Sequence, residues 1–495
     1  MRPASAAAAP AYEQRLEAAL VSRRERGMLR SLDPRPAATS DLVDFSSNDY
    51  ISFARSRRLR LKLVEALQQE KQTPLPLYGP PSSRLLDGNS PSHAQTELAL
   101  AQFFRAPAAL LFNSGFDANV GLWTCLADPR DWIVYDRLVH ASMHDGMRGS
   151  RVPPARRRAF DHNSVTDLAR VLREIVDSDD AVRTGAKSVW IGVESLYSMD
   201  GDLAPLSDIV ETVEALLPRG NGHLIVDEAH STGLYGPNGR GLVCALGLAH
   251  RVLVRVHTFG KAMACSGAAV LASPLIRNYL INYARPLIYS TAMTHLSVLA
   301  IQKSLQMLEE GEADPRAARV HMLATRLVTR LAAASPPDPP CPSRQVLLPP
   351  HLVAVAAAAS RPPRPLLSSA SVVPATSPIV PLLTRDPRAL SAFLRTRGYL
   401  VRPITYPTVP RGEERVRVCL HAGNSVDEVD GLAAAVSEWA GAGAGAGAVG
   451  RDGDGAAVGS GLTLGTGAGL GLGLGHSRES ANASPDGAEI VRARL

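Results

Sequence analysis

At 495 residues and 45% hydrophobic content, the chain is long enough to bury one large core or two to three domains, which excludes a wholly disordered protein. Lys and Arg number 53 against 47 Asp and Glu, too even a balance for the dense basic surface of a nucleic-acid binder. The 40 glycines and 37 prolines are unevenly spread: 16 glycines fall in residues 441–495 and 12 prolines between Pro336 and Pro378, which sets two segments apart from the rest.

The opening stretch has no long apolar core of a secretory signal, and Glu13 and Glu17 argue against a transit peptide. Tyr12 to Leu32 reads as a charged amphipathic helix, and DFSSNDYISFA (Asp44 to Ala54) as a strand running into a turn. From about Ala109 to Ala272, the apolar runs ALLFN, DWIVY, SVWIGV, HLIVD, VLVRVH and AAVLA alternate with longer helical segments. That alternation predicts an α/β fold around a mainly parallel sheet. Beyond Thr294 come helices, the Pro-rich stretch, and a strand–helix–strand run through SPIVPLLT, ALSAFLRTRGYLV and ERVRVCLHA. This pattern predicts a smaller α+β domain with a flexible insertion. The expected division is an N-terminal helical segment 1–43, a large α/β domain 44–293, a small domain 294–440 with the insertion 336–378, and a disordered Gly/Ala-rich tail 441–495.

Cys125, Cys244, Cys265, Cys341 and Cys419 are scattered, without CxxC pairs or histidines at metal-ligand spacing, so neither a disulfide framework nor a metal site is expected, and a reducing compartment is. The uncharged stretch Gly455 to Gly475 has nine glycines in 21 residues, too poor a helix former for a membrane span, so a soluble protein without a membrane partner is expected.

In HTFGKAMACSGAAVL, Lys261 follows a strand and is flanked by Gly260, Ala262, Ala264, Ser266 and Gly267. Taken alone it reads as a solvated charge, but a lysine in a tight turn after a buried strand can approach a planar cofactor and bind its aldehyde. HLIVDEAHSTGLYGPNGRG sets Asp227 at the carboxyl end of an apolar strand, where ligands of open α/β sheets bind. Singly, Asp227 reads as a cap and His230 as a loop histidine. Asp227 and Lys261 are 34 residues apart, about one crossover unit, so the two end neighbouring strands and face one crevice. A carboxylate that keeps a pyridine nitrogen protonated, beside a lysine that binds an aldehyde, is what pyridoxal 5'-phosphate (PLP) chemistry requires.

Through FSSNDY, LFNSGFDAN, ESLYSMDGDLAPL, VDEAHSTGLYGPNGRG and TFGKA, the chain resembles the α-oxoamine synthases from about Asp44 to Trp439. These are fold-type I PLP enzymes that join an amino acid to an acyl-CoA with loss of carbon dioxide, with a large mainly parallel-sheet domain and a smaller C-terminal domain. The resemblance implies that Lys261 binds the cofactor aldehyde, Asp227 pairs with the ring nitrogen, His230 lies near the phenolic oxygen and His140 stacks on the ring. It assigns the phosphate to Ser114, Gly115 and Phe116 at a helix start, and lines the cofactor with Ser198 and Thr258. Ser290 and Thr291, in the segment from Tyr289, would reach a phosphate across the interface of an obligatory homodimer.

Arg417 matches the arginine that forks onto the amino-acid carboxylate, with Asn48 near the substrate and Glu194 and Arg30 as further candidates, while Arg415 reads as a strand-edge cation. The substrates implied are L-alanine and pimeloyl-CoA, as in biotin biosynthesis. Other pairings of the family remain open: glycine C-acetyltransferase, 5-aminolevulinate synthase, serine palmitoyltransferase and polyketide-releasing enzymes share the apparatus. A non-catalytic binding subunit is a further alternative, against which Lys261 argues. The family's GSGGSR stands here as GPPSSR (Gly79 to Arg84), which leaves the acyl chain open. The final Ala493, Arg494 and Leu495 resemble a peroxisomal address, implying an import receptor and a peroxisomal location, otherwise a cytoplasmic one.

Overall fold

In the computed structural model, the described residues are 10–26, 28–30, 41–69, 79–334, 345–359 and 373–441. Counted along the chain, the strands are β1 (Val43–Asp44), β2 (Ala108–Phe112), β3 (Trp132–Asp136), β4 (Arg157–Phe160), β5 (Val189–Glu194), β6 (Gly222–Asp227), β7 (Val254–Thr258), β8 (Ala268–Ala272), β9 (Ile379–Leu383), β10 (Tyr399–Leu400), β11 (Arg402–Ile404) and β12 (Arg415–Cys419). The six apolar runs and β4 form one sheet in the order β2-β8-β7-β6-β5-β3-β4. Only β8 runs antiparallel to its two neighbours. Every residue of β5 is buried, as a strand covered by helices on both faces requires. β6 lies between β5 and β7, so the ends of β5, β6 and β7 converge on one edge of the sheet.

Two hydrophobic clusters hold the chain. The first surrounds the large sheet and includes Trp123, Leu172, Ile191 and Val226. The second packs Leu327, Leu382, Leu394, Val416 and Trp439 around the antiparallel sheet β11-β12-β9. Each such fully buried aliphatic or aromatic side chain contributes about 1.5–3 kcal/mol relative to exposure.

The packing differs from the division read in the sequence at three places. Val43 and Asp44 pair in parallel with Tyr399 and Leu400, and Phe45 lies in the second cluster, so the start of the expected large domain serves the small one. Conversely, the helix His295–Glu309 and the first half of Ala313–Ala333 complete the first cluster through Val298, Leu305 and Val320. Chain continuity is a poor guide here because a single extended strand can cross to a neighbouring core. The Pro-rich stretch is also not wholly a flexible insertion. Its described middle forms the helix Pro350–Ala359, whose Leu352 and Ala356, one turn apart, are buried in the second cluster. Proline suits a first helical position and the alanine run favours helix, so proline content alone misleads. The remainder, 336–344 and 360–372, lies outside the described residues.

The N-terminal helix spans Ala11–Glu25 and buries none of its residues, so its apolar positions Tyr12, Leu16 and Leu20 stay exposed. Leu32 and the tail with its terminal tripeptide lie outside the described residues.

Candidate active site

Lys261 sits in the tight connection between β7 and β8. Cys265 N donates to Phe259 O at 2.8 Å, Phe259 N to Gly267 O at 2.9 Å and Ala264 N to Lys261 O at 3.0 Å, closing the loop on itself. Ala264 takes the left-handed conformation at φ 54°, a strained backbone of the kind that fixes a functional side chain. Among the described residues, no hydrogen bond or ion pair engages the Lys261 side chain. Burial holds its amine below the usual lysine range, against the pull of Asp227 and Glu194.

Asp227 ends β6 and is 5% exposed. Ala229 N donates to its Oδ1 at 2.9 Å, and Asn119 Nδ2 to its Oδ2 at 2.7 Å. Asn119 Nδ2 also reaches Ser142 Oγ at 3.0 Å. His140 caps the helix Ala141–Gly149, and its Nδ1 accepts from Ser142 N at 3.2 Å, which leaves the ring proton on Nε2. Burial lowers the His140 pKa while Asp227 opposes and Lys261 assists. Asp227, Lys261 and His140 therefore share one electrostatic neighbourhood.

The helix Gly115–Cys125 opens with Ser114 as its cap, whose Oγ accepts from Asp117 N at 3.0 Å and donates to Asp117 Oδ2 at 2.8 Å. The free amides of this first turn are a ready anion site. A side chain at position 115 would come 3.1 Å from Thr258 Oγ1, so glycine is what lets the helix start approach the end of β7. Phe116 is 43% exposed, consistent with a part played by its amide rather than its ring.

Arg417 lies on β12 at 8% exposure, facing this group from the second cluster. Its Nη2 donates to Asn48 Oδ1 at 3.1 Å, while its Nε is buried without a partner. Arg417 lies close enough to Lys261 and His230 to lower both their pKa values. Tyr50 Oη lies 2.6 Å from His230 Nδ1 and 3.5 Å from Arg417 Nη2.

Glu194, at the end of β5, is the register partner of Asp227 and 2% exposed, with Oε1 unpartnered. Burial first, then the Asp227 charge, push its carboxyl well above the usual range. Ser198 is half-buried in the turn after β5.

Three sequence candidates stand apart. Thr291 is exposed, though its carbonyl accepts from Asn113 Nδ2 at 2.9 Å, and Ser290 is half-buried beside Tyr289, which is 72% exposed. Both thus lie beside the turn that opens the helix Gly115–Cys125 but on the outside of one chain. Arg30 is exposed beyond the N-terminal helix, and among the described residues no contact ties it to Lys261 or Arg417.

The sequence reading passed over Asn119, Ser142 and Tyr50. Asn119 lies one helical turn after Gly115 and so on the same face, but its bond to Asp227 spans 108 residues and no local signal announces it. Arg415, read as a strand-edge cation, is 1% exposed: its Nη1 donates to Asp200 Oδ1 at 2.5 Å and to Met199 O at 3.1 Å, and its Nε to Glu413 O at 2.9 Å.

A lysine, a buried carboxylate and a histidine in one neighbourhood, with a helix-start anion site, match the donor set of a PLP enzyme, and the partnerless Arg417 Nε and Glu194 Oε1 leave polar atoms for ligands to meet. Residues 40–436 match the model of the aminotransferase class I and II family, to which the chain belongs. It is 43% identical over 426 residues to 8-amino-7-oxononanoate synthase of Emericella nidulans, covering 86% of this chain and 95% of that one. It is also 34% identical to the aminoacyl transferase sphA of Aspergillus fumigatus, covering 87% and 88%. Among solved structures, Sphingomonas wittichii serine palmitoyltransferase shares the fold at a TM-score of 0.68 and 22% identity, covering 88% of this chain and 98% of that one. Within the aminotransferase family, then, the chain is an α-oxoamine synthase, a PLP-dependent acyltransferase.

Proposed function

We propose that the chain condenses L-alanine with pimeloyl-CoA to give 8-amino-7-oxononanoate, CoA and carbon dioxide. The observation that carries a decarboxylating amino-acid condensation is the buried Arg417, with Nε free, close enough to Lys261 to act on its charge, as Asp227 also does. The choice of L-alanine and pimeloyl-CoA rests on the 43% identity to a protein named for that product.

Lys261, Asp227, His230, His140, Ser198, Thr258 and the Ser114–Phe116 turn would hold PLP. When bound, PLP supplies an aldehyde for the amino group and a protonated ring that accepts an electron pair. Asp227, fixed by Asn119 and Ala229 N, would hold a proton on the ring nitrogen. Arg417 binds the amino-acid carboxylate by charge-assisted hydrogen bonds, with Asn48 beside it. Burial lowers the Lys261 pKa, which favours the amine form that would remove the α-proton. The α-carbon then bonds to the thioester carbonyl, the C–S bond breaks and CoA leaves as thiolate. The carboxylate leaves as carbon dioxide, and the Lys261 ammonium returns a proton to the α-carbon.

Thr291, exposed, and the half-buried Ser290, both on the outside of one chain, support a homodimer in which each copy helps complete the partner's phosphate site. Light scattering at twice the chain mass is the expected result, and a monomer with full activity would refute it. The C-terminal Ala-Arg-Leu supports import into peroxisomes, for which loss of punctate fluorescence on deleting Leu495 is expected. Diffuse fluorescence with and without Leu495 would refute that.

A matrix of L-alanine, glycine and L-serine against acetyl-, succinyl-, pimeloyl- and palmitoyl-CoA tests the substrate assignment. The highest kcat/KM is expected for L-alanine with pimeloyl-CoA. The similarity to an aminoacyl transferase over most of the chain favours, as second reading, a different acyl donor at the same site, which a higher value in another column would establish.

A further inference from the structure

We infer that Tyr50 is a positioning residue that fixes His230 as a single tautomer, protonated on Nε2, and links that ring to the arginine proposed to bind the amino-acid carboxylate. The inference builds on the proposed function for the role of Arg417, but its geometric basis is independent of substrate identity.

Donor counting settles the proton. Tyr50 is fully buried, and its hydroxyl meets three neighbours: His230 Nδ1 at 2.6 Å, Asn48 Oδ1 at 3.2 Å and Arg417 Nη2 at 3.5 Å. Arginine can only donate. Its 3.1 Å bond to Asn48 therefore also fixes that amide with oxygen toward the guanidinium, since the flipped amide would oppose donor to donor. The Tyr50 proton then has two acceptors to choose between. Asn48 Oδ1 is the more distant and already receives Arg417; His230 Nδ1 is the closer and has no other donor among the described residues. The nearby guanidinium also makes the phenol a better donor and its oxygen a poorer acceptor. Tyr50 accordingly donates to His230 Nδ1.

The surroundings of the ring also weigh against double protonation. Burial, Lys261, Arg417 and His140 all disfavour the cation at His230. With Nδ1 occupied as acceptor, the single ring proton sits on Nε2, for which no hydrogen bond exists among the described residues. The Nε2 proton of His230 is thereby left available to a further acceptor. Because Arg417 contacts both Asn48 and Tyr50, a carboxylate that re-aims the guanidinium changes the field on the hydroxyl that sets the His230 ring. Amino-acid binding and the donor strength of His230 are thus joined through one buried oxygen.

The test is nitrogen NMR of the cofactor-loaded chain carrying 15N-labelled histidine, with the His230 signals assigned by their loss in His230→Gln. The wild type is expected to show one tautomer with Nε2 protonated, and Tyr50→Phe a mixture or reversal, together with a shifted visible absorbance of the bound cofactor. A wild-type ring protonated on Nδ1 would overturn the proposal without recourse to any variant. So would an unchanged tautomer and unchanged spectrum in a folded Tyr50→Phe. Failure of the substrate assignment would leave these ring signals as they are, so the two failures are distinguishable.

Discussion

On the sheet side of the site, the functional groups stand at the ends of β5, β6 and β7, strands held by neighbours on either side. On the opposite side, Arg417 stands on the central strand of a three-stranded sheet and meets Asn48 and Tyr50, which arrive from the start of the chain. The first wall gathers what a cofactor needs: a lysine, a carboxylate and a helix start. The second carries the buried arginine proposed to bind the amino-acid carboxylate. A turn at residues 198–202 fastens the two. Arg415 takes hold of Asp200 and Met199 O, Ser377 Oγ donates to Gly201 O at 2.7 Å, and Gly201, at φ 69°, lies where a side chain would strike Ile379 O. Substitutions on the two walls should therefore fail in different ways.

The largest effect is expected for Lys261→Ala, with turnover reduced roughly thousandfold or more and the visible absorbance of the lysine-bound cofactor lost. Retention of both in steady-state and spectroscopic measurements would remove the sheet wall from the chemistry. Asp227→Asn should lower kcat roughly a hundredfold with little change in the KM for amino acid, because it weakens the ring as electron acceptor. Arg417→Met should show the converse. Losing a charged hydrogen bond of about 1.5–3 kcal/mol raises the amino-acid KM roughly ten- to hundredfold while cofactor absorbance persists. A common kinetic signature for Asp227→Asn and Arg417→Met would break the division between the walls.

A smaller effect tests the sheet side's own stability. Burial alone would lower the His162 pKa, but hydrogen bonds to Asp136 and Asp202 outweigh it and raise the value to about 10 from 6.5. Raised in the folded state, it contributes stability that is fully present below about pH 6.5 and lost as pH rises toward 10. Thermal melts of wild type and His162→Gln should differ most near pH 6 and converge toward pH 10. A gap that widens with pH would contradict the assignment.

The sheet wall was largely legible in the sequence because its logic is local: an apolar run ending in Asp227, a small-residue turn holding Lys261, and a capped helix start at Ser114 each carry their own signal. The second wall was less so. Arg417 was reached by resemblance, but Tyr50 and Arg415 matter through contacts 180 and 215 residues distant, to His230 and Asp200. A buried arginine on a strand has the same spelling as an exposed one. Asn119 illustrates the same limit within the first wall, since helical periodicity puts it on the face of Gly115 without saying what that face meets. The helix Pro350–Ala359 was hidden by its prolines, and the crossing of β1 to the second cluster by chain continuity.

In the proposed reaction, Lys261 takes the α-proton of an amino acid held by Arg417. Exchange of the α-hydrogen of L-alanine in deuterium oxide, followed by proton NMR with cofactor present and no acyl-CoA, measures that step alone. The wild type is expected to exchange, Arg417→Met to exchange only at much higher L-alanine, and Lys261→Ala not at all. Exchange at the wild-type rate in Lys261→Ala would contradict the account.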